Sequence, residues 1–199
     1  MELRLAVRQR RMSRNFTGRP PDPGVVDAIL ADALSAPSAG NTQGRDLLVL
    51  EGPAETRRFW ETTTDAAWRA RSSRFAGLSR APVVVLVFAA PGAYRSRYEE
   101  PDKRPTGGVP VEWVVPFWFV DAAFATMTIL LRAAEEGLGA AFLGNFRGEE
   151  ALRARLGVPG DRRWLGAVLL GEATGPDPPS SSLARGRRPF ADSVHRGAW

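Results

Sequence analysis

Six consecutive residues, Val83-Val84-Val85-Leu86-Val87-Phe88, leave this chain few ways to fold. A half-buried strand alternates apolar and polar side chains. A run with no polar residue reads as a strand buried on both faces. A second stretch, Val120 to Glu136, is apolar almost all round at helical spacing, so it reads as a central helix rather than a peripheral one. The wider run Val114–Leu131 also contains Pro116, Asp121, Thr126 and Thr128. An aspartate in mid-span costs roughly 3 kcal/mol on insertion, which favours a core helix over a membrane span. The N-terminus is basic and without a long apolar run, so no signal peptide and a cytoplasmic location are expected.

The remaining elements follow from punctuation. Met1–Arg14 suits an amphipathic helix. Asp22-Pro23 is a helix start, an N-cap followed by proline at the first helical position. Val26, Ile29, Leu30, Ala33 and Leu34 then repeat at helical spacing up to Pro37. Leu47–Leu50, Ala140–Leu143 and Trp164–Leu170 read as strands. Pro53 opens a helix running through Phe59, Trp60 and Trp68, Gly137 stops the central helix, and Glu149–Leu156 is a helix closed by Gly157. Pro91–Pro110 and Thr174–Ser182 read as loops. Helices and strands are mixed without strict βαβ alternation, which points to α+β.

Side-chain chemistry is narrowly bounded. The chain has no cysteine and one histidine, His195, four residues from the end. That removes disulfides, thiolate sites and cysteine nucleophiles, argues against a zinc site, which needs several His or Cys ligands, and leaves a serine triad only His195, in what reads as a tail. A borrowed cofactor is the natural source of chemistry. The net charge is +5, and all 27 cations but Lys103 are arginines. Arg4, Arg8, Arg10, Arg11, Arg14 and Arg19 crowd the start; Arg185, Arg187, Arg188 and Arg196 crowd the end.

Three constellations stand out. In Arg10-Arg11-Met12-Ser13-Arg14-Asn15-Phe16, Arg10 and Arg14 are four apart and on a helix end would point the same way. Two guanidiniums suit a phosphate, though a solvated basic face has the same pattern. Ala36-Pro37-Ser38-Ala39-Gly40-Asn41-Thr42-Gln43 lets a flat ligand approach its backbone, though an ordinary helix-to-strand turn uses the same residues. Arg185-Gly186-Arg187-Arg188-Pro189 puts Arg185 and Arg187 on one side of an extended chain. A basic tail would do so too, but this one finishes with Phe190, Val194 and Trp199, which favour burial.

Taken in order, these segments resemble the FMN-dependent nitroreductase family, which opens with an Arg-Arg-Ser-x-Arg-x-Phe-like motif, continues with Ala-Pro-Ser-x-x-Asn-x-Gln and closes on a basic Lys/Arg-x-Arg element. AAEEGLGAAFLGNF and LGVPGDRRWLGAVLLGEA are similar to the family's central-helix end and late helix-turn-strand. The resemblance covers about Arg10 to Trp199.

It implies an α+β fold with a central mixed β-sheet flanked by helices, in one domain: a core over 1–173, a Pro/Ser linker over 174–182 and a C-terminal arm over 183–199 exchanged between subunits of a homodimer. The long apolar helix would be the dimer-core helix, although a monomer's central helix fits its pattern equally. The implied cofactor is FMN, with NAD(P)H as reductant. Arg10 and Arg14 would hold the phosphate, in a segment that includes Arg11 and the backbone of Met12, with Arg185 and Arg187 joining from the arm. Pro37, Ser38, Ala39 and Asn41 would line the ribityl chain and ring edge from the other subunit, and Leu143 and Gly144 would present backbone near N5. Trp113, Phe117, Trp118 and Phe119 suit an aromatic wall for flat acceptors, or core packing ahead of the helix.

Departures from the family pattern are the methionine at position 12, in place of serine, and Gly44-Arg45-Asp46-Leu47 where Pro-Trp-x-Phe is usual. For the pyrimidine edge of the ring, Arg71 and Arg74 are candidates. The implied activity is hydride transfer to nitroaromatics, quinones or enones. A flavin-binding relative without reductase turnover is the alternative. A basic nucleic-acid module is a further one, disfavoured because the aromatics do not alternate with the basic clusters.

Overall fold

The computed structural model describes residues 2–71, 76–104, 112–144, 147–177 and 184–199, apart from the side chains of 69–71. Its helices are α1 (Leu3–Gln9), α2 (Pro23–Leu34), α3 (Gly52–Thr63), α4 (Ala66–Arg71), α5 (Pro91–Tyr98), α6 (Phe117–Glu135) and α7 (Glu149–Leu156). The strands are β1 (Arg45–Glu51), β2 (Val83–Ala89), β3 (Gly139–Leu143) and β4 (Arg163–Gly171), in sheet order β1-β2-β4-β3. The fold is α+β.

β2 is interior to the sheet and buried at every residue. Val83, Val85 and Val87 face α2 and α6, packing with Ile29, Ala125 and Ile129. Val84, Leu86 and Phe88 face the other way, into a second cluster with Phe59 and Trp60 of α3 and Leu152 of α7. The two-residue period of a strand thus feeds two cores at once, and each such buried side chain contributes roughly 1.5–3 kcal/mol. The mixed sheet expected from the resemblance is four antiparallel strands. Among the described residues its parallel component is a single bridge between Met12 and Ala140 on the β3 edge.

Local rules explain most boundaries. The Asp22 side chain accepts from Gly24 N at 2.8 Å, so α2 starts where proline and cap predict. Gly137 (φ +72) and Gly157 (φ +66) end α6 and α7 in the left-handed region that glycine tolerates.

Three expectations are corrected. The helix from Pro53 breaks in two, because Thr62 and Thr63 hydroxyls bond back to Arg58 and Phe59 carbonyls and Thr64 turns extended; Asp65 then caps α4 through Trp68 N. Pro91–Tyr98, read as loop, is helix α5, with Pro91 where its missing N–H costs nothing. The N-terminal helix stops at Gln9, and Arg10 leaves it at φ −50, ψ 124, so Arg10 and Arg14 are not neighbours on a helical face.

α6 is long and apolar enough to cross a membrane by length and composition. One side of it, Ala122, Ala125, Ile129 and Ala133, lies in the core, while Phe117, Phe124 and Met127 are exposed. Every residue from 184 to 199 is exposed, Phe190 and Trp199 included.

Candidate functional site

The basic segment 10–17 lies along the edge of the sheet. Ser13 N donates to Ala140 O at 2.8 Å, and Phe142 N donates to Met12 Sδ at 3.4 Å. On its other side, Thr17 N donates to Glu172 O and Thr174 N to Asn15 O, both at 3.0 Å. Two predicted site segments, 10–14 and the end of β3 that leads to Leu143 and Gly144, are therefore side by side. Met12 spends its side chain on β3, leaving only its backbone for an anion.

The arginines differ in what they are free to do. Arg10 carries a buried Nη1 with no hydrogen-bond partner among the described residues, a costly state for a cationic donor and one that an anion would relieve. Arg11 folds back onto the carbonyls of Arg8 and Arg10 and caps α1. Arg14 Nη1 donates to Met12 O at 3.2 Å, and its backbone N–H donates to Asp177 at 2.7 Å. Asn15 Nδ2 holds the other Asp177 oxygen at 3.0 Å. Asp177 thus ties the start of the Pro/Ser linker to the basic segment. Arg185 and Arg187 are exposed and make no hydrogen bond or ion pair among the described residues.

The 37–43 loop is built separately, at the other end of α6. Ser38 Oγ accepts from Gln43 N at 2.9 Å, and Thr42 Oγ1 donates to Ala39 O at 2.6 Å. Gly40, Asn41 and Gln43 all have positive φ (+62, +54 and +54). A left-handed conformation costs roughly 1–2 kcal/mol at a non-glycine residue, so the surroundings must enforce it. Ala39 N donates at 2.8 Å to Asp121, which is buried on α6, and Tyr94 donates to the same carboxylate at 2.7 Å. Burial, then that hydrogen bond, pushes the Tyr94 hydroxyl above its ordinary value, so it stays a donor. Arg97 Nε donates to Gly40 O at 2.9 Å and pairs in a fork with Asp102. This pairing, above all its hydrogen bond, draws the Asp102 carboxyl from 3.8 down to about 2. A Cβ on Gly40 would stand 2.9 Å from the Tyr98 ring, and φ is +62 there, so both the space and the backbone favour glycine. Arg45 is buried, donates to Leu34 O and to Ala36 O (2.6 Å), and so closes α2 from below the loop.

The loop meets α6 at Asp121, whereas Ser13 lies against Gly139 just beyond the C-terminal end of that helix. At 1.5 Å per residue, Asp121 and Glu135 are about 21 Å apart along the axis. Trp113, Phe117 and Trp118 gather near the loop, with Trp113 4.7 Å from Tyr98 and 6.0 Å from both Phe117 and Trp118. Leu143 and Gly144 instead line a cavity of about 350 Å³ walled by Phe59, Trp60, Trp68 and Trp164. A larger groove of about 710 Å³, between Thr17 and α3, holds none of the predicted residues. The Arg71 side chain and Arg74 lie outside the described residues.

Sequence reasoning missed Asp121, Arg97, Tyr98 and Asp177. Asp121 had a signal: it is the one charged residue in the fifteen from Phe117 to Leu131. The others are ordinary in sequence and acquire meaning only through contact.

The sequence model described as "Nitroreductase family" matches residues 7–172. A curated protein from Archaeoglobus fulgidus with an NADH dehydrogenase/NAD(P)H nitroreductase-type name is 27% identical over 193 residues, 96% of this chain and 94% of its own. Among solved structures, nitroreductase CinD from Lactococcus lactis in complex with nicotinic acid superposes with a TM-score of 0.76 at 19% identity, covering 98% of this chain and 99% of that one. NfrA2 of B. megaterium gives 0.75 at 18% identity, covering 100% of this chain and 76% of that one.

Proposed function

The chain belongs to the nitroreductase family, and from that premise we propose that it is an FMN-dependent oxidoreductase working as a homodimer. The observation that carries the reading is the buried, unpaired Nη1 of Arg10 in a basic segment beside β3. Its chemistry fits a phosphate, because a guanidinium donates to phosphate oxygens in a planar fork. Arg14 joins it from the same segment, and Arg185 and Arg187 come from the arm, where they have no competing partner among the described residues. Pro37, Ser38, Ala39 and Asn41 serve the ribityl chain and ring edge of a flavin held mainly by a second copy. The separation of this loop from Arg10 along α6 supports that division. Leu143 and Gly144 offer backbone to the ring.

FMN, when bound, supplies hydride transfer from NAD(P)H to an acceptor. The protein orients the partners and excludes water. Trp113, Phe117 and Trp118 favour flat acceptors such as nitroaromatics, quinones or enones. The complexes of the Lactococcus lactis neighbour with nicotinic acid and 4-nitrophenol are of this flat type. Such an enzyme suits the cytoplasm, where NAD(P)H is available. The test is to purify the protein, titrate it with FMN and riboflavin, and follow NAD(P)H oxidation with menadione or a nitroaromatic. Preferential FMN binding with acceptor-dependent oxidation is expected. Equal affinity for riboflavin would overturn the phosphate assignment. Tight FMN binding without turnover would assign the chain to the non-reductase branch.

A further inference from the structure

Asp121 is 1% exposed in a helix otherwise apolar around it. A carboxylate there is expensive unless it is fully used. Among the described residues its two hydrogen bonds both fall on Oδ2: Ala39 N at 2.8 Å and the Tyr94 hydroxyl at 2.7 Å. Ala39 opens the short 3₁₀ turn Ala39–Asn41, and the next residues carry the positive φ angles at Gly40, Asn41 and Gln43. The backbone at Ala39 is therefore the last regular point before the unfavourable stretch, and it is tied to the rigid body of α6. Gly40 O is tied in turn by Arg97 on α5. The anchors come from two helices, and of these two only Asp121 is shielded from solvent.

We propose that Asp121 is a positioning residue for the flavin: by accepting from Ala39 N–H it fixes the backbone of residues 40–43, with its positive φ angles at Gly40, Asn41 and Gln43, that faces the ribityl chain and ring edge. The inference rests on the flavin-facing reading of that loop. Asp121 lies four residues after Phe117 and three before Phe124 on the same helix, so it also links the loop to exposed aromatic side chains that the proposed dimer would cover.

The test compares Asp121→Ala with Asp121→Asn in the full-length protein. Amide hydrogen exchange over residues 36–44 reads the loop without flavin. FMN titration by flavin fluorescence reads the site. Asp121→Ala is expected to speed exchange in the loop and weaken FMN binding about tenfold or more, as for loss of a hydrogen bond to a charged group. Asp121→Asn keeps an acceptor oxygen and is expected to restore both readouts to within about threefold, given the modest value of a neutral bond.

Wild-type exchange and affinity in a folded Asp121→Ala protein would overturn the proposal. So would equal impairment of the two variants, which would assign the effect to charge rather than to the bond. Should Asp121→Ala not fold, Ala39→Pro removes the donor instead. Ser38 already has φ −143 and ψ 144, the conformation a following proline requires. Ala39→Pro is expected to reproduce the loss, and unchanged exchange and affinity would overturn the proposal. If the wild type fails to bind FMN, the functional reading falls, while the exchange data still decide whether Asp121 orders the loop.

Discussion

At the scale of single residues, the arginines of the N-terminal segment have different tasks despite their identical chemistry. Arg11 caps a helix, whereas Arg10 keeps a buried nitrogen without a partner. Arg10→Ala and Arg14→Ala should each weaken FMN binding by about 1.5–3 kcal/mol and leave riboflavin affinity nearly unchanged, since the lost contact is charge-assisted and specific to phosphate. Isothermal titration with both ligands checks this; parallel losses for both flavins would remove these arginines from the phosphate. Arg97 allows a prediction in pH. Asp102 titrates at about 2 when folded, below its ordinary 3.8. A depressed carboxyl stabilises the fold above its unfolded value and loses that contribution as pH falls from about 4 towards 2. The melting-temperature difference between wild type and Asp102→Asn should therefore be steady at neutral pH, shrink across that window, and shrink in high salt because the pair is exposed. A difference that persists at pH 2 would exclude the ion pair as its source. Sequence pattern could nominate these arginines because charge is visible in composition. It could not tell a capping arginine from an unpaired one, since that depends on where the chain leaves α1. Arg45, noted only as a departure from the aromatic expected there, turns out to be a buried cap on α2.

At the scale of elements, legibility followed the strength of local signals. β2, α2 and α7 lie within a residue or two of their expected bounds, because an unbroken apolar run, an Asp-Pro start and a terminal glycine each act locally. α5 was missed because a proline and a glycine at its start read as breakers, although proline at the first helical position is well tolerated. The error mattered for the site, since α5 supplies Tyr94, Arg97 and Tyr98 to the loop. α6 was legible as a long apolar helix, but its pattern could not say which side meets the core. The structure divides it: Ala125 and Ile129 inward, Phe117, Phe124 and Met127 outward. α1, packed against α6, adds exposed Leu3 and Val7 to the apolar surface. Phe124→Glu should convert the proposed dimer into a folded monomer if this face is its interface, because an unpaired charge in a buried interface costs several kcal/mol. Light scattering coupled to size exclusion reads the mass, and circular dichroism the fold. A dimer that tolerates the change would place the interface elsewhere.

At the scale of the whole molecule, the chain has a compact part that is well paired and an arm that is not. The linker begins at a fixed point, since Asp177 holds Arg14 N–H and Asn15 Nδ2 beside the proposed phosphate site. Beyond it, residues 184–199 carry Phe190, Val194 and Trp199 at 73%, 40% and 101% exposure. Leaving such side chains in water forgoes roughly 1.5–3 kcal/mol apiece. The same segment presents Arg185 and Arg187, exposed as well. An arm that is at once apolar and basic, rooted next to an unsatisfied cationic site, suits a groove on a second copy better than open solvent. Truncation after Pro179 should therefore weaken the dimer and FMN binding together, by more than Arg10→Ala does alone, because it removes apolar burial as well as two cations. Size exclusion with absorbance detection at flavin wavelengths reports both properties in one run. A truncated protein that stays dimeric and fully flavinated would refute the role of the arm. Loss of flavin from an intact dimer would keep Arg185 and Arg187 at the phosphate and leave dimerisation to α6.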